Sequence, residues 1–175
     1  MVTYLIGYMC SGKTTLGTLL KEIAGVRFTD LDQYIEEREG MTISEIFSQR
    51  GEEGFRNIEK EALREVTDNI GGVIATGGGT PCFFDNMEYM NSSGYAIYLN
   101  CSREELLERL KIYKSTRPLL KDKNEKELKE FIEASLPKRE VYYKKASIII
   151  NADTLSNEEG AVDTAKKVIE IISQK

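Results

Sequence analysis

The sequence predicts an α/β protein: one three-layer α/β/α domain, residues 1–175, around a five-stranded parallel sheet. Three observations lead there. Five short apolar runs alternate with stretches of helical periodicity, and runs that are continuously apolar suit strands covered on both faces. The first run, Val2–Ile6, leads straight into Gly7-Tyr-Met-Cys-Ser-Gly-Lys-Thr-Thr15, a G-x-x-x-x-G-K-S/T phosphate loop in the strand–loop–helix setting it requires. A chain of 175 residues that is 41% hydrophobic can bury one sizeable core.

The elements follow in order. After the first strand, Gly12–Ile23 carries Leu16, Leu19, Leu20 and Ile23 at helical spacing. Val26–Phe28 reads as a short strand. Leu31–Glu39 starts a helix capped by Asp30, and Ile43–Gln49 another behind Thr42. Glu52–Thr67 is a longer helix. Val73–Thr76 and Tyr95–Leu99 are strands. Ser102–Ile112 is a helix whose Ser102 and Glu105 fit a capping box. Glu125–Lys145 is helical, but Pro137 is expected to kink or interrupt it. Ser147–Ile150 is the last strand and Asn157–Ile172 the closing helix. The lysine-rich interruption Lys111–Lys126 reads either as a solvated loop or as a mobile lid.

The chemistry gathers behind strand ends. In the first loop, Gly7 and Gly12 permit backbone conformations that side chains forbid. The N–H groups through Cys10, Ser11 and Thr15 then form an anion nest at a helix N-terminus. Lys13 would reach the β- and γ-phosphates and the Thr14 hydroxyl would face Mg²⁺. Asp30 and Asp32 follow the second strand, at the sheet edge where open α/β folds bind ligands. One carboxylate can hold Mg²⁺ through water and the other a substrate hydroxyl, or Asp30 merely caps the helix and Asp32 meets solvent. Arg56 and Glu59 share a helical face. They are either a surface pair of little energetic value or a carboxylate steering a guanidinium toward an anion. Gly77, Gly78 and Gly79 after the third strand suit close contact between backbone and ligand. Arg117 sits inside the candidate lid, where it would meet transition-state charge unless it faces solvent. Arg139 lies just past Pro137, where a helix break would turn it inward; taken alone it reads as a surface arginine.

Composition excludes several classes. The net charge is −5, so phosphate binding is local and nothing suggests a nucleic-acid or membrane surface. No apolar run approaches the roughly 20 residues of a membrane span, and a strand at the very N-terminus leaves no room for a signal peptide. Cys10, Cys82 and Cys101 are odd in number and widely spaced, against a disulfide framework or zinc site and in favour of a reduced cytoplasm. Cys10 and Cys82 read as small packed residues. With no histidine in the chain, Ser-His-Asp and Cys-His catalysis are out and a general base must be a carboxylate.

Taken together these motifs resemble the shikimate kinase family over essentially the whole chain. The resemblance rests on the phosphate loop, Asp-x-Asp, Phe-Arg-x-x-Glu, the triple glycine, Arg-Pro-Leu-Leu and Arg-x-x-x-Tyr, in that order. It implies a P-loop NTPase fold of the nucleoside-monophosphate-kinase type and transfer of the γ-phosphoryl of ATP to the 3-hydroxyl of shikimate, on the way to chorismate. It further implies that Lys13 contacts the phosphates, that Thr14 ligates Mg²⁺ and that Asp30 holds it through water. By the same resemblance Asp32 binds the ring hydroxyls and takes the proton. Arg56 and Arg139 clamp the carboxylate, and Gly77, Gly78 and Gly79 touch the substrate. Arg117 covers the phosphates from a lid at about 111–126, Arg109 is the nearest candidate against adenine, and residues around Asp153–Leu155 line the other side of the base. A helical segment at about 31–60 would bind shikimate. Thr80-Pro81 departs from the small apolar pair common in relatives, with no change in chemistry expected. The expected partner is the small molecule alone, bound by a cytoplasmic monomer.

Two rivals are weighed. A nucleoside-monophosphate or gluconate-type kinase would share the fold, but nucleotide-acceptor kinases tend to carry several lid arginines and this lid holds Arg117 alone. A nucleotide switch would use Asp68-Asn-Ile-Gly71, which matches D-x-x-G but falls at a helix end, and no Asn-Lys-x-Asp motif occurs in the chain.

Overall fold

A computed structural model describes residues 2–114 and 120–173. Its elements are β1 (Val2–Ile6), α1 (Lys13–Ala24), β2 (Phe28–Asp30), α2 (Leu31–Glu39), α3 (Ile43–Asn69), β3 (Val73–Ala75), α4 (Asn86–Ser93), β4 (Gly94–Asn100), α5 (Arg103–Tyr113), α6 (Glu125–Tyr143), β5 (Ile148–Asn151) and α7 (Glu158–Ser173). The sheet has five strands in the order β2-β3-β1-β4-β5, and every pairing is parallel. Helices cover both faces, so β1 and β3 are buried along their whole length, as the uninterrupted apolar runs require. All five strands end at one edge. There β1 leads off toward β2 while its neighbour β4 leads off toward β5, and this divergence opens the crevice in which α/β sheets take ligands.

Three elements differ from the sequence expectation. β2 is Phe28–Asp30 and not Val26–Phe28. Gly25 ends α1 in the left-handed region, and the ladder starts only where Phe28 comes level with Val73 and runs to Asp30 opposite Ala75. Asp30 is therefore both the last strand residue and the cap of α2. The two expected helices of 43–67 run as one element broken at Gly51, whose φ of 68° leaves the helical region. α6 passes through Pro137 without the expected break. Pro137 and Glu133, one turn earlier, are both exposed, so the carbonyl deprived of its N–H partner faces water.

The unbroken α6 explains how Arg139 turns inward. Ile132, Leu136 and Tyr143 are buried on its inner face, and Arg139 continues the same row at spacings of four, three and four residues. Glu59 is placed in the same way: it lies on the buried stripe of α3 that includes Phe55, Ile58, Ala62, Leu63 and Val66. α4 escaped the sequence reading because its inward face is only Asn86, Met87 and Met90 on an eight-residue helix. No helix of the described residues is long and apolar enough to cross a membrane.

Candidate functional site

At the carboxyl edge of the sheet lies a cleft of about 760 Å³, lined among others by Cys10, Gly12, Lys13, Thr14, Thr15, Asp30, Asp32, Gly77, Gly78 and Arg109. The floor is the loop after β1. Gly7 and Gly12 hold φ values of 148° and 98°, and Cys10 sits at φ 61°. Residues in such conformations can turn successive N–H groups to one side. Lys13 Nζ donates to the carbonyls of Gly7 and Tyr8 at 3.0 and 2.9 Å, which holds its ammonium group over the loop. α2, α3, α5 and α6 each begin with a side chain that accepts from their first backbone N–H groups. α1 begins at Gly12 with no such cap and no acidic residue in its first turn. The positive end of α1 is thus left for an anion, and the loop fits the phosphates of a nucleotide.

Asp30 caps α2 with one carboxylate oxygen and turns the other toward Thr14. Its Oδ1 accepts the backbone N–H groups of Asp32 and Gln33, at 3.1 and 3.4 Å. Its Oδ2 accepts the Thr14 hydroxyl at 2.9 Å. A hydroxyl and a carboxylate oxygen at this separation are a fitting start for a Mg²⁺ site, since that ion keeps several waters and phosphate oxygens. Among the described residues no group of three or more Cys, Asp or Glu gathers round a point, so protein oxygens alone would not complete the shell. Asp32, one residue into α2, lines the cleft on the same side.

The wall opposite is the glycine run. A Cβ at Gly77 would lie 2.9 Å from both Asp32 Oδ1 and Glu59 Oε1. At Gly78 it would lie 3.1 Å from Arg139 Nη1, and at Gly79 2.6 Å from Arg56 Nη2. Three successive missing side chains therefore admit two carboxylates and two guanidinium groups against one stretch of backbone. Arg56 arrives from α3 and Arg139 from α6, so adjacent glycines bring together two cations distant in sequence. Neither arginine is part of the cleft lining itself; they stand behind Gly78 and Gly79 at its end.

Each of these groups is held. Glu59 is 1% exposed and its Oε2 accepts Arg56 Nη1 at 2.8 Å, so the pair is not the surface interaction that spacing alone allowed. The Arg56 guanidinium carbon lies 4.1 Å from the centroid of the Phe83 ring and 5.0 Å from that of Phe55, contacts that hold a cation flat. Among the described residues its buried Nε has no hydrogen-bond partner. The Arg139 guanidinium carbon is 5.5 Å from the centroid of the Tyr8 ring. The Tyr8 hydroxyl shares a 2.6 Å hydrogen bond with Ser135 of α6, which ties the phosphate loop to the helix that carries Arg139. Tyr143 donates to the Gly78 carbonyl, and burial pushes the phenol well above its usual range despite the neighbouring Arg139, so it stays a donor.

Arg109 forms the far side of the cleft. It is 8% exposed and donates to Glu105 at 2.8 Å, to the Cys10 carbonyl at 3.2 Å and to the Ala152 carbonyl at 2.7 Å. It thereby ties the phosphate loop to the turn at Asp153–Ser156. In that turn Leu155 and Ser156 face the cleft, while the Asp153 carboxylate accepts the Ser102 N–H at 2.8 Å. Burial pushes the Asp153 carboxyl up, but the Ser102 hydrogen bonds, Cys101 and Arg109 together outweigh it and leave the group below its ordinary value. Sequence reading missed Glu105 and Ser156, which complete the bonding of Arg109; the i, i+4 spacing of Glu105 and Arg109 was a usable signal. Arg117, expected in a lid, lies outside the described residues. On either side, Lys114 Nζ donates to the Lys123 carbonyl at 2.9 Å and Leu120 is buried.

Burial holds two of the cysteines unreactive. Burial pushes the Cys82 thiol up to about 11 and the Cys101 thiol up to about 12. At pH 8 a thiol of pKa 11 is about 100-fold less ionised than one of pKa 9, and thiolate is the reactive form. Iodoacetamide at pH 8 is therefore expected to modify Cys82 and Cys101 only after denaturation. Mass-spectrometric detection of rapid labelling at Cys82 in the folded protein would contradict this.

Comparison with known proteins adds the following. A family model described as shikimate kinase matches residues 9–172. The shikimate kinase of Parabacteroides distasonis is 48% identical over 169 residues, covering 97% of this chain and 98% of that protein. The shikimate kinase of Bacteroides thetaiotaomicron is 45% identical over 171 residues, 96% of this chain and 98% of that one. A crystal structure of the B. thetaiotaomicron shikimate kinase superimposes with a TM-score of 0.93 at 43% identity, covering 98% of each chain. A structure of the Acinetobacter baumannii shikimate kinase in complex with shikimate gives a TM-score of 0.78 at 36% identity, over 98% of this chain and 92% of that one.

Proposed function

The chain belongs to the shikimate kinase family, and on that premise we propose how its residues divide the ATP-dependent phosphorylation of shikimate. The reaction moves the γ-phosphoryl of ATP to the 3-hydroxyl of shikimate. The observation that carries the assignment is the convergence on Gly77–Gly79 of two carboxylates and two guanidinium groups, at a glycine run whose Gly77 and Gly78 line the same cleft as the phosphate loop. A ring with several hydroxyls and one carboxylate matches that wall.

In this reading Arg56 and Arg139 grip the shikimate carboxylate with charge-assisted hydrogen bonds, and Gly78 and Gly79 give the ring close passage. Asp32 accepts the hydrogen bond of the 3-hydroxyl and aims its oxygen at the γ-phosphorus. That oxygen forms the new P–O bond as the bond to the β–γ bridging oxygen breaks and ADP leaves. The proton passes to Asp32, late if the transition state is loose, so that orientation matters more than abstraction. Lys13 and the N–H groups of Gly12–Thr15 meet the phosphate charge, with Arg117 added from the lid at about 111–126. Thr14 and Asp30 are the residues that would hold Mg²⁺, Asp30 through water. That ion supplies neutralisation of the phosphate oxygens. The flat face of Arg109 and the side chain of Leu155 take the adenine between them. The segment 31–60 serves the acceptor, within a single kinase domain 1–175. The enzyme acts as a cytoplasmic monomer with no nucleic-acid or membrane partner.

The test is ADP release over a panel of acceptors: shikimate, quinate, gluconate and nucleoside monophosphates. Release that depends on shikimate is expected. Release with a nucleotide acceptor and none with shikimate would overturn the reading.

A further inference from the structure

We propose that Thr80 is a positioning residue for the acceptor: it keeps Arg56 from being fully consumed by its own carboxylate partner. The inference rests on the assignment of Arg56 to the shikimate carboxylate. Carboxylate and guanidinium groups prefer a fork-to-fork pairing, with two parallel N–H···O bonds. Arg56 and Glu59 do not make it. Glu59 Oε2 accepts Arg56 Nη1 at 2.8 Å, but Oε1 accepts the Thr80 hydroxyl at 2.6 Å. With one oxygen occupied, Glu59 orients Arg56 through a single nitrogen.

The other terminal nitrogen, Nη2, remains on the side of Gly79. Its protein partner there is Glu52 at 3.5 Å, whose side chain is 63% exposed, a pair that water screens. An incoming carboxylate thus finds a donor still available.

Thr80 is itself fixed. It is fully buried, its N–H donates to the Gly77 carbonyl at 3.2 Å, and its carbonyl accepts Asn86 Nδ2 at 2.9 Å. Asn86 Oδ1 in turn accepts Arg64 Nη1 of α3 at 3.0 Å. The hydroxyl is therefore presented to Glu59 from a frame anchored in the same helix that bears Arg56 and Glu59. The Thr80 hydroxyl thus gives the departure at Thr80-Pro81 a role in acceptor binding, with the chemistry unchanged.

Thr80→Val keeps the shape and removes the donor, which frees Glu59 Oε1 to capture the second nitrogen of Arg56. The KM for shikimate is expected to rise about 10-fold, as for loss of a hydrogen bond to a charged group, with the KM for ATP and kcat within about twofold of wild type. Thr80→Ser restores the hydroxyl and is expected to restore the KM. In an Arg56→Ala background, where the shikimate KM is already raised, Thr80→Val is expected to add nothing further. If Thr80→Val does not fold, Thr80→Ala is measured in its place with the same expectation. An unchanged shikimate KM in the Val or Ala variant, a Ser variant that fails to restore it, or an undiminished effect in the Arg56→Ala background would each overturn the role of Thr80. An Arg56→Ala enzyme with a normal shikimate KM would instead overturn the carboxylate assignment on which the inference stands.

Discussion

Asp32→Asn is expected to lower kcat by about 10²-fold or more, the lower part of the range for a positioned general base, while the KM for ATP stays within about twofold. The substitution preserves size and the ability to accept a hydrogen bond, but removes the charge that receives the proton. It also places an amide N–H₂ where the acceptor hydroxyl must donate. The nucleotide is expected to be little affected because its proposed contacts are the loop after β1 and Thr14 with Asp30, not Asp32. The chain has no histidine to substitute. The other carboxylate at Gly77 is Glu59, which already accepts from Arg56 and Thr80. Steady-state kinetics with both substrates varied decide the matter; an unchanged kcat would remove Asp32 from the mechanism.

Arg139→Ala is expected to raise the KM for shikimate by roughly 30- to 1000-fold, the cost of truncating one partner of a desolvated, hydrogen-bonded charge pair, and to leave ATP binding nearly intact. Arg139 is held against the Tyr8 ring and Gly78 on a helix that contributes nothing to the nucleotide side of the cleft lining. Truncation also leaves Arg56 as the single cation facing the carboxylate. Equal losses for shikimate and ATP, measured by titration of each ligand alone, would argue that the residue supports the fold of the cleft and not the grip on the acceptor.

Much of this was legible in the chain, for identifiable reasons. The strand order could not be read, but residues just behind strands could, and those reach the carboxyl edge: Gly7 after β1 and Asp30, which was placed behind a misplaced second strand and in fact ends it. The phosphate loop was legible because its glycines and Lys13 lie within one short segment. The orientation of Arg139 was read from the wrong cause. A proline-induced break was expected, whereas the periodicity of Ile132, Leu136 and Tyr143 already places Arg139 on the inner face of an intact helix. Glu59 likewise sits at a buried spacing of α3, and a charge at such a position demands a partner. The role of Thr80 was invisible for a different reason. It depends on a contact between α3 and the turn after β3, which no local pattern encodes. Asp30 was posed as either cap or metal ligand; the geometry gives Oδ1 to the cap and turns Oδ2 to the Thr14 hydroxyl.

The bare start of α1 has a thermodynamic consequence. Its N-cap residue supplies no side-chain acceptor, so an anion bound at this end of α1 adds stability to the native state that the chain does not provide itself. Folding and nucleotide occupancy are then linked equilibria: a ligand that binds only the native chain adds about 2.7 kcal/mol at 100 times its dissociation constant. For a chain of this length, each kcal/mol corresponds to about 2–4 °C in the melting temperature. Saturating ADP is therefore expected to raise Tm by about 5–10 °C, and inorganic phosphate or sulfate buffers to raise it partway. Thermal shift becomes an occupancy gauge for this protein that requires no turnover, and a melting temperature measured in a phosphate buffer is that of a partly liganded enzyme.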